Sequence, residues 1–111
     1  MGVEVYKYDG EGYNPTMHFE TWRVAFLNYG ERFKEVKYIE RHMETDEVFV
    51  LLEGKATLYI DEDMKPVEME KNKIYNITKA TWHAITADKD AKVLIVENDN
   101  TVEENSEYKY I

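Results

Sequence analysis

Glu40-Arg41-His42-Met43-Glu44-Thr45-Asp46-Glu47-Val48-Phe49-Val50-Leu51-Leu52-Glu53-Gly54 sets ionisable side chains at the head of an apolar run. Val48 to Leu52 is apolar throughout and rich in β-branched and aromatic residues. Glu53-Gly54 ends it, so the run reads as a buried strand closed by a tight turn. Lys55-Ala56-Thr57-Leu58-Tyr59-Ile60 alternates and reads as its hairpin partner. A charge at the mouth of a buried strand needs a partner, because an unpaired one costs stability.

Working outward, strand follows strand. Trp22 to Asn28 reads as the first clear strand and closes at Tyr29-Gly30. Phe33 to His42 alternates, so Val36, Tyr38, Glu40 and His42 share a face by the period of two. By the same period Glu47 shares a face with Phe49 and Leu51, and His83 with Ile85 and Ala87. Lys65–Met69, Ile74–Ile77, Trp82–Ala87 and Ala91–Glu97 complete a series of short strands separated by polar turns, the pattern of a β-sandwich or barrel. The first twenty residues read as an irregular lead-in, because Gly10, Gly12, Asn14 and Pro15 cluster there. Thr101 to Ile111 is expected to form a final strand or an arm on a partner subunit. His18 reads as a surface residue.

The stretch around His42 resembles the first motif of the cupin superfamily, which has two His separated by one residue, then a Glu, then a Gly. His42 falls on the second His, Glu47 on the Glu and Gly54 on the Gly, while Glu40 stands in the place of the first His. Thr78-Lys79-Ala80-Thr81-Trp82-His83 is similar to the second motif, with His83 on its His and Thr78 and Ala80 where that motif has Pro and Gly. The resemblance covers residues 36–96, roughly half of the chain. It implies an all-β fold: a small RmlC-like jelly-roll barrel, or double-stranded β-helix. It also implies a homodimer.

The resemblance makes His42, Glu47 and His83 metal ligands, with Glu40 either a fourth ligand or a base beside the metal. Imidazole nitrogens and carboxylate oxygens hold divalent transition metals, and two His with one carboxylate leave positions open for a substrate. Two neutral His and two ionised Glu carry two negative charges, which a divalent ion cancels. Iron, manganese, zinc or nickel is the expected cofactor. The opposing expectation is a degenerate cupin that keeps the fold without the metal, with His42 and His83 bonded to Tyr or backbone groups. Without a metal, Glu40 and Glu47 facing each other would raise one carboxyl pKa, and Glu40→Gln would then stabilise the apo protein at neutral pH.

Composition narrows the partners. The chain has 111 residues, which reads as one domain over residues 1–111. Its net charge of −9 argues against nucleic acid and anionic membrane, both of which attract a basic surface. There is no Cys, so neither disulfide nor thiolate chemistry is available. No apolar stretch reaches membrane-spanning length, and the first residues lack a signal-peptide core, so a cytoplasmic protein is expected.

Three functions remain open: a metal-dependent enzyme acting on a small organic molecule, a non-catalytic small-ligand module, or a structural protein. The expected core is Val24, Phe26, Val48, Val50, Leu52, Leu58, Ile60, Ile85, Leu94 and Val96.

Overall fold

The computed structural model describes residues 2–111. Ten strands run in chain order: β1 Gly12–Phe19, β2 Trp22–Asn28, β3 Tyr38–His42, β4 Glu47–Glu53, β5 Ala56–Ile60, β6 Lys65–Glu68, β7 Tyr75–Ile77, β8 His83–Ala87, β9 Lys92–Asn98 and β10 Ser106–Tyr110. They form two five-stranded sheets, ordered β1-β2-β9-β4-β7 and β10-β3-β8-β5-β6. All the strand pairs are antiparallel, and successive strands mostly alternate between the sheets, as in a jelly roll. The all-β jelly-roll expectation is met.

The lead-in differs from expectation. Gly12–Phe19 is a strand paired with β2 at the edge of its sheet, and its register shifts between Pro15 and Met17. Proline lacks a backbone N–H and is tolerated at edges and bulges, so Pro15 marks an edge strand rather than a loop. The C-terminal segment is a strand of this chain: β10 pairs with β3 from Ser106↔His42 to Tyr110↔Tyr38. Arg41 helps to fasten it, stacking on Trp82 and donating from Nε to Glu107 at 2.8 Å.

In β2, β4 and β9 the core sits on the opposite face from the one expected. Of the ten residues expected inside, Leu58 is fully buried, and Ile60 and Ile85 pack against the core. Val24, Phe26, Val48, Val50, Leu94 and Val96 are half-buried on the outer face of their sheet, and Leu52 is exposed. The interior is filled by Ala25, Leu27, Phe49, Leu51, Val93 and Ile95. Strands β2, β4 and β9 are apolar on both faces, so alternation alone does not choose between them. The inner face is the one that carries Arg23, Glu47 and Glu97, and these polar residues hid it.

Register arranges that face in rows across β2, β9 and β4. Leu27, Val93 and Leu51 form one row, Ala25, Ile95 and Phe49 the next, and Arg23, Glu97 and Glu47 the last. The facing sheet contributes Ala87, Ile85 and His83 from β8, paired with Ala56, Leu58 and Ile60 of β5. One end of the interior is therefore apolar and the other is charged. Gly54 closes the turn after β4 at φ +71°, where a Cβ would come within 2.7 Å of the Ala91 backbone. Both facts make this a glycine position.

Candidate metal and ligand site

The polar end of the interior opens into a pocket of about 220 Å³. The structure brings together all four residues singled out in the sequence. Glu40 and His42 project inward from β3, Glu47 from the start of β4 and His83 from the start of β8. Glu40 and His83 are register partners. Ligand atoms of Glu40, His42 and His83 lie within 4.8 Å of one another. Glu47 Oε1 sits 3.2 Å from His42 Nε2 and 3.1 Å from His83 Nε2. Glu40 Oε1 stands farther off, 3.8 Å from His42 Nε2 and 4.0 Å from His83 Nε2. His42, His83 and Glu47 are buried, and Glu40 is partly exposed. His18 lies on the surface, outside this group.

Hydrogen-bond inventory settles which ring nitrogens face inward. The His83 Nδ1–H donates to the Thr81 carbonyl at 3.0 Å, and a carbonyl can only accept. Ser106 Oγ–H donates to the Val102 carbonyl at 2.7 Å, so its oxygen accepts the His42 Nδ1–H at 2.8 Å. With Nδ1 protonated in both rings, each neutral imidazole turns an Nε2 lone pair toward the Glu47 carboxylate. Lone pairs converging on a carboxylate repel unless a cation joins them, either protons on the imidazoles or a metal ion. Imidazoles with Nδ1 tied in this way are the usual arrangement of metal-ligating His. The donor set and its orientation thus fit a divalent transition metal.

The electrostatics follow from the same contacts. Burial alone would push the Glu47 carboxyl up, but hydrogen bonds from His42 and His83 and the His83 charge hold it well below the usual carboxylate range. Burial disfavours charge on His83, yet its bond to Glu47 and the Glu47 charge outweigh that and raise its pKa.

A further charged group escaped the sequence reading. Glu97, the register partner of Glu47 on β9, is buried beside it. It accepts hydrogen bonds from the Tyr13 hydroxyl and from Arg23 Nε at 3.0 Å. The other Arg23 nitrogens donate to the Asp99 and Thr101 carbonyls. Burial first, and then the neighbouring Glu47 charge, push the Glu97 carboxyl up to about 7. The sequence set Glu47 against Glu40, whereas strand register sets it against Glu97, whose carboxyl is the one raised. An acidic residue ending the strongly apolar run Val93–Val96 was the available signal, and it reads equally well as a solvated strand end.

The second motif keeps its shape without its glycine. Ala80 stands at φ +64° and donates its N–H to the His42 carbonyl at 2.7 Å, tying the turn before β8 to the end of β3.

The fold is the jelly roll that solved cupin structures share, here with a His- and Glu-lined pocket inside. Pac13 from Streptomyces, in a structure with uridine, superposes with a TM-score of 0.72 at 9% identity, covering 100% of this chain and 94% of that one. Pac13 is described as a nucleoside dehydratase. An RmlC-like cupin from Methanocaldococcus jannaschii matches with a TM-score of 0.67 at 13% identity, over 88% of this chain and 92% of the other. A cupin-2 domain protein from Shewanella frigidimarina matches at 0.61 and 18% identity, over 82% and 84%. The sequence matches no family profile and no curated protein. At these identities the likeness is one of fold.

Proposed function

We propose that this protein holds one divalent metal ion between His42, His83 and Glu47, with Glu40 at the open side, and binds or transforms a small organic molecule in the adjoining pocket. The observation that carries this reading is the pair of imidazoles, each tied at Nδ1 and each turning Nε2 toward the same Glu47 carboxylate. A bound divalent ion would polarise an oxygen of the ligand. The chain's own residues do the rest: Glu40 is placed to exchange a proton at the open side, and Phe49, Ile85 and Ile95 line the pocket with apolar surface. Elemental analysis of the protein as purified, followed by zinc titration of chelator-treated protein, tests the reading. A stoichiometric ion lost in both His42→Ala and His83→Ala is expected, and protein that neither carries nor takes up metal overturns it.

A second reading is favoured by Glu97. A buried carboxyl near 7 beside an ionised Glu47 is a proton donor next to an acceptor. Acid–base chemistry without a metal, such as loss of water from a small hydroxylated molecule, suits that pair, and Pac13 offers a structural parallel. Turnover that persists in chelator and vanishes in Glu97→Gln would favour this reading.

We further propose a homodimer in the cytoplasm. The outer face of β2, β9 and β4 is a continuous apolar patch in which Phe26, Leu94 and Val50, and likewise Val24, Val96 and Val48, are register neighbours. Residues 2–9 form no strand with the rest of the chain, and Val3 and Val5 are 72% and 89% exposed. A second copy covering the patch, with these arms reaching across, would bury both. The net charge of −9 turns nucleic acid and anionic lipid away from this surface. Among the described residues no helix is long and apolar enough to cross a membrane. Light scattering at twice 13.2 kDa, reduced to one chain by Val50→Glu, is the expected result.

A further inference from the structure

The chain has three arginines among 23 acidic residues. Arg23 pairs with Glu97 and Arg41 with Glu107. Among the described residues, Arg32 is the arginine with no carboxylate at ion-pair distance. It is nonetheless held in place. Its guanidinium lies over the Phe33 ring at 4.8 Å and over the Tyr38 ring at 5.2 Å, and it donates to the Tyr38 hydroxyl. Tyr38 in turn packs edge-on against Tyr108, with ring centroids 5.7 Å apart. Arg32, Tyr38 and Tyr108 all line the pocket that contains His42, Glu47 and His83.

A planar, always-charged fork set over two aromatic rings suits a carboxylate or phosphate. Its remaining donors face a protein whose overall field repels anions, so a strong local cation at this mouth has a ligand-binding use. Two considerations select among oxyanions. Glu35, Lys37 and Glu103 also line the pocket, and two carboxylates against one ammonium penalise a dianion more than a monoanion. The volume of about 220 Å³ is below the roughly 300–1,000 Å³ of drug-sized sites, which limits the ligand to little more than one ring.

We propose that the pocket binds a small aromatic monocarboxylate, its carboxylate taken by Arg32 at the mouth and its ring by the Tyr38–Tyr108 wall. The inner end of the ligand then points toward His42, Glu47 and His83. The inference deepens the function proposed above and rests on it only for what happens at that inner end.

Isothermal titration of the full chain with benzoate and phenylacetate, against benzamide and phenylacetamide, tests it, with and without zinc. The carboxylates should bind about ten- to hundredfold more tightly than the amides, the range expected for a hydrogen bond between charged groups. Arg32→Gln should bring carboxylate binding down to the amide level. Arg32→Lys should keep part of the preference, because lysine retains the charge but not the fork. Equal affinity for acid and amide, unchanged carboxylate binding in Arg32→Gln, or no carboxylate binding at millimolar concentration would each overturn the assignment. Zinc titration separates this from the metal reading. Carboxylate selectivity that depends on Arg32 in a protein that takes no zinc sustains the assignment and removes the metal. Zinc binding without that selectivity does the reverse.

Discussion

Ser106 accepts the Nδ1–H of His42 at 2.8 Å while passing its own proton to the Val102 carbonyl at 2.7 Å. A residue on the last strand therefore fixes the tautomer of a ring on β3. Removing such a partner commonly costs about ten- to hundredfold in metal affinity. Ser106→Ala is expected to weaken zinc binding by that order, and Ser106→Thr to keep most of it. Nitrogen NMR of the apo protein should show His42 losing its Nδ1–H preference in Ser106→Ala while His83 keeps its own. Unaltered zinc affinity in Ser106→Ala would mean that β10 is only structural.

Metal and stability should be linked. An ion that binds the folded chain and not the unfolded one adds roughly 2.7 kcal/mol at a hundred times its dissociation constant. Each kcal/mol moves the melting temperature of a domain of this size by roughly 4–8 °C. The rise should vanish in His42→Ala, His83→Ala and Glu47→Ala, and survive in His18→Ala, whose ring lies on the surface. Glu40 Oε1 stands farther from both imidazoles than Glu47 Oε1 does, so Glu40→Ala should keep part of the rise. Melting temperatures in zinc and manganese no higher than in chelator would refute the linkage.

The pH dependence of the apo protein should carry the mark of Glu97. Its carboxyl goes from an ordinary 4.5 to about 7 on folding. Between those values the folded chain binds more protons than the unfolded one, so stability falls as pH rises. Glu47 acts in the opposite sense: its pKa is lowered on folding, and its contribution is lost as pH falls below the ordinary carboxylate range. Glu97→Gln keeps an acceptor for Tyr13 and Arg23 and removes the charge. It should make the apo protein more stable than wild type at mildly alkaline pH, with the gap closing at pH near 4. Urea midpoints across that range measure it, and parallel curves for the two proteins would count against a raised Glu97.

Two turn positions predict opposite responses. Ala80 occupies a left-handed conformation that costs an L-residue roughly 1–2 kcal/mol, offset in part by the greater chain entropy of glycine. Ala80→Gly should stabilise the protein by up to about 1 kcal/mol. Gly54 has both a positive φ and backbone in the path of a Cβ, so Gly54→Ala should destabilise by more than about 1 kcal/mol. Thermal denaturation of both variants decides the matter, and a destabilised Ala80→Gly would show that the Ala80 methyl is needed for packing.

The sequence by itself determined the class of fold and which site residues share a face of their strand. Short alternating runs with polar turns admit few architectures, and a period of two puts Glu40 with His42 and His83 with Ile85 whatever the tertiary detail. It did not determine which face of β2, β4 and β9 is the core. Val48 to Leu52 and Val93 to Val96 are apolar at every position, so alternation carries no sign there. The choice was made by closure of the two sheets, which turned Phe49, Leu51, Val93 and Ile95 inward. Closure also set Glu97 against Glu47 and Ser106 against His42. Those partners lie 50 and 64 positions apart in the chain, so the pairings follow from strand register rather than from any local pattern.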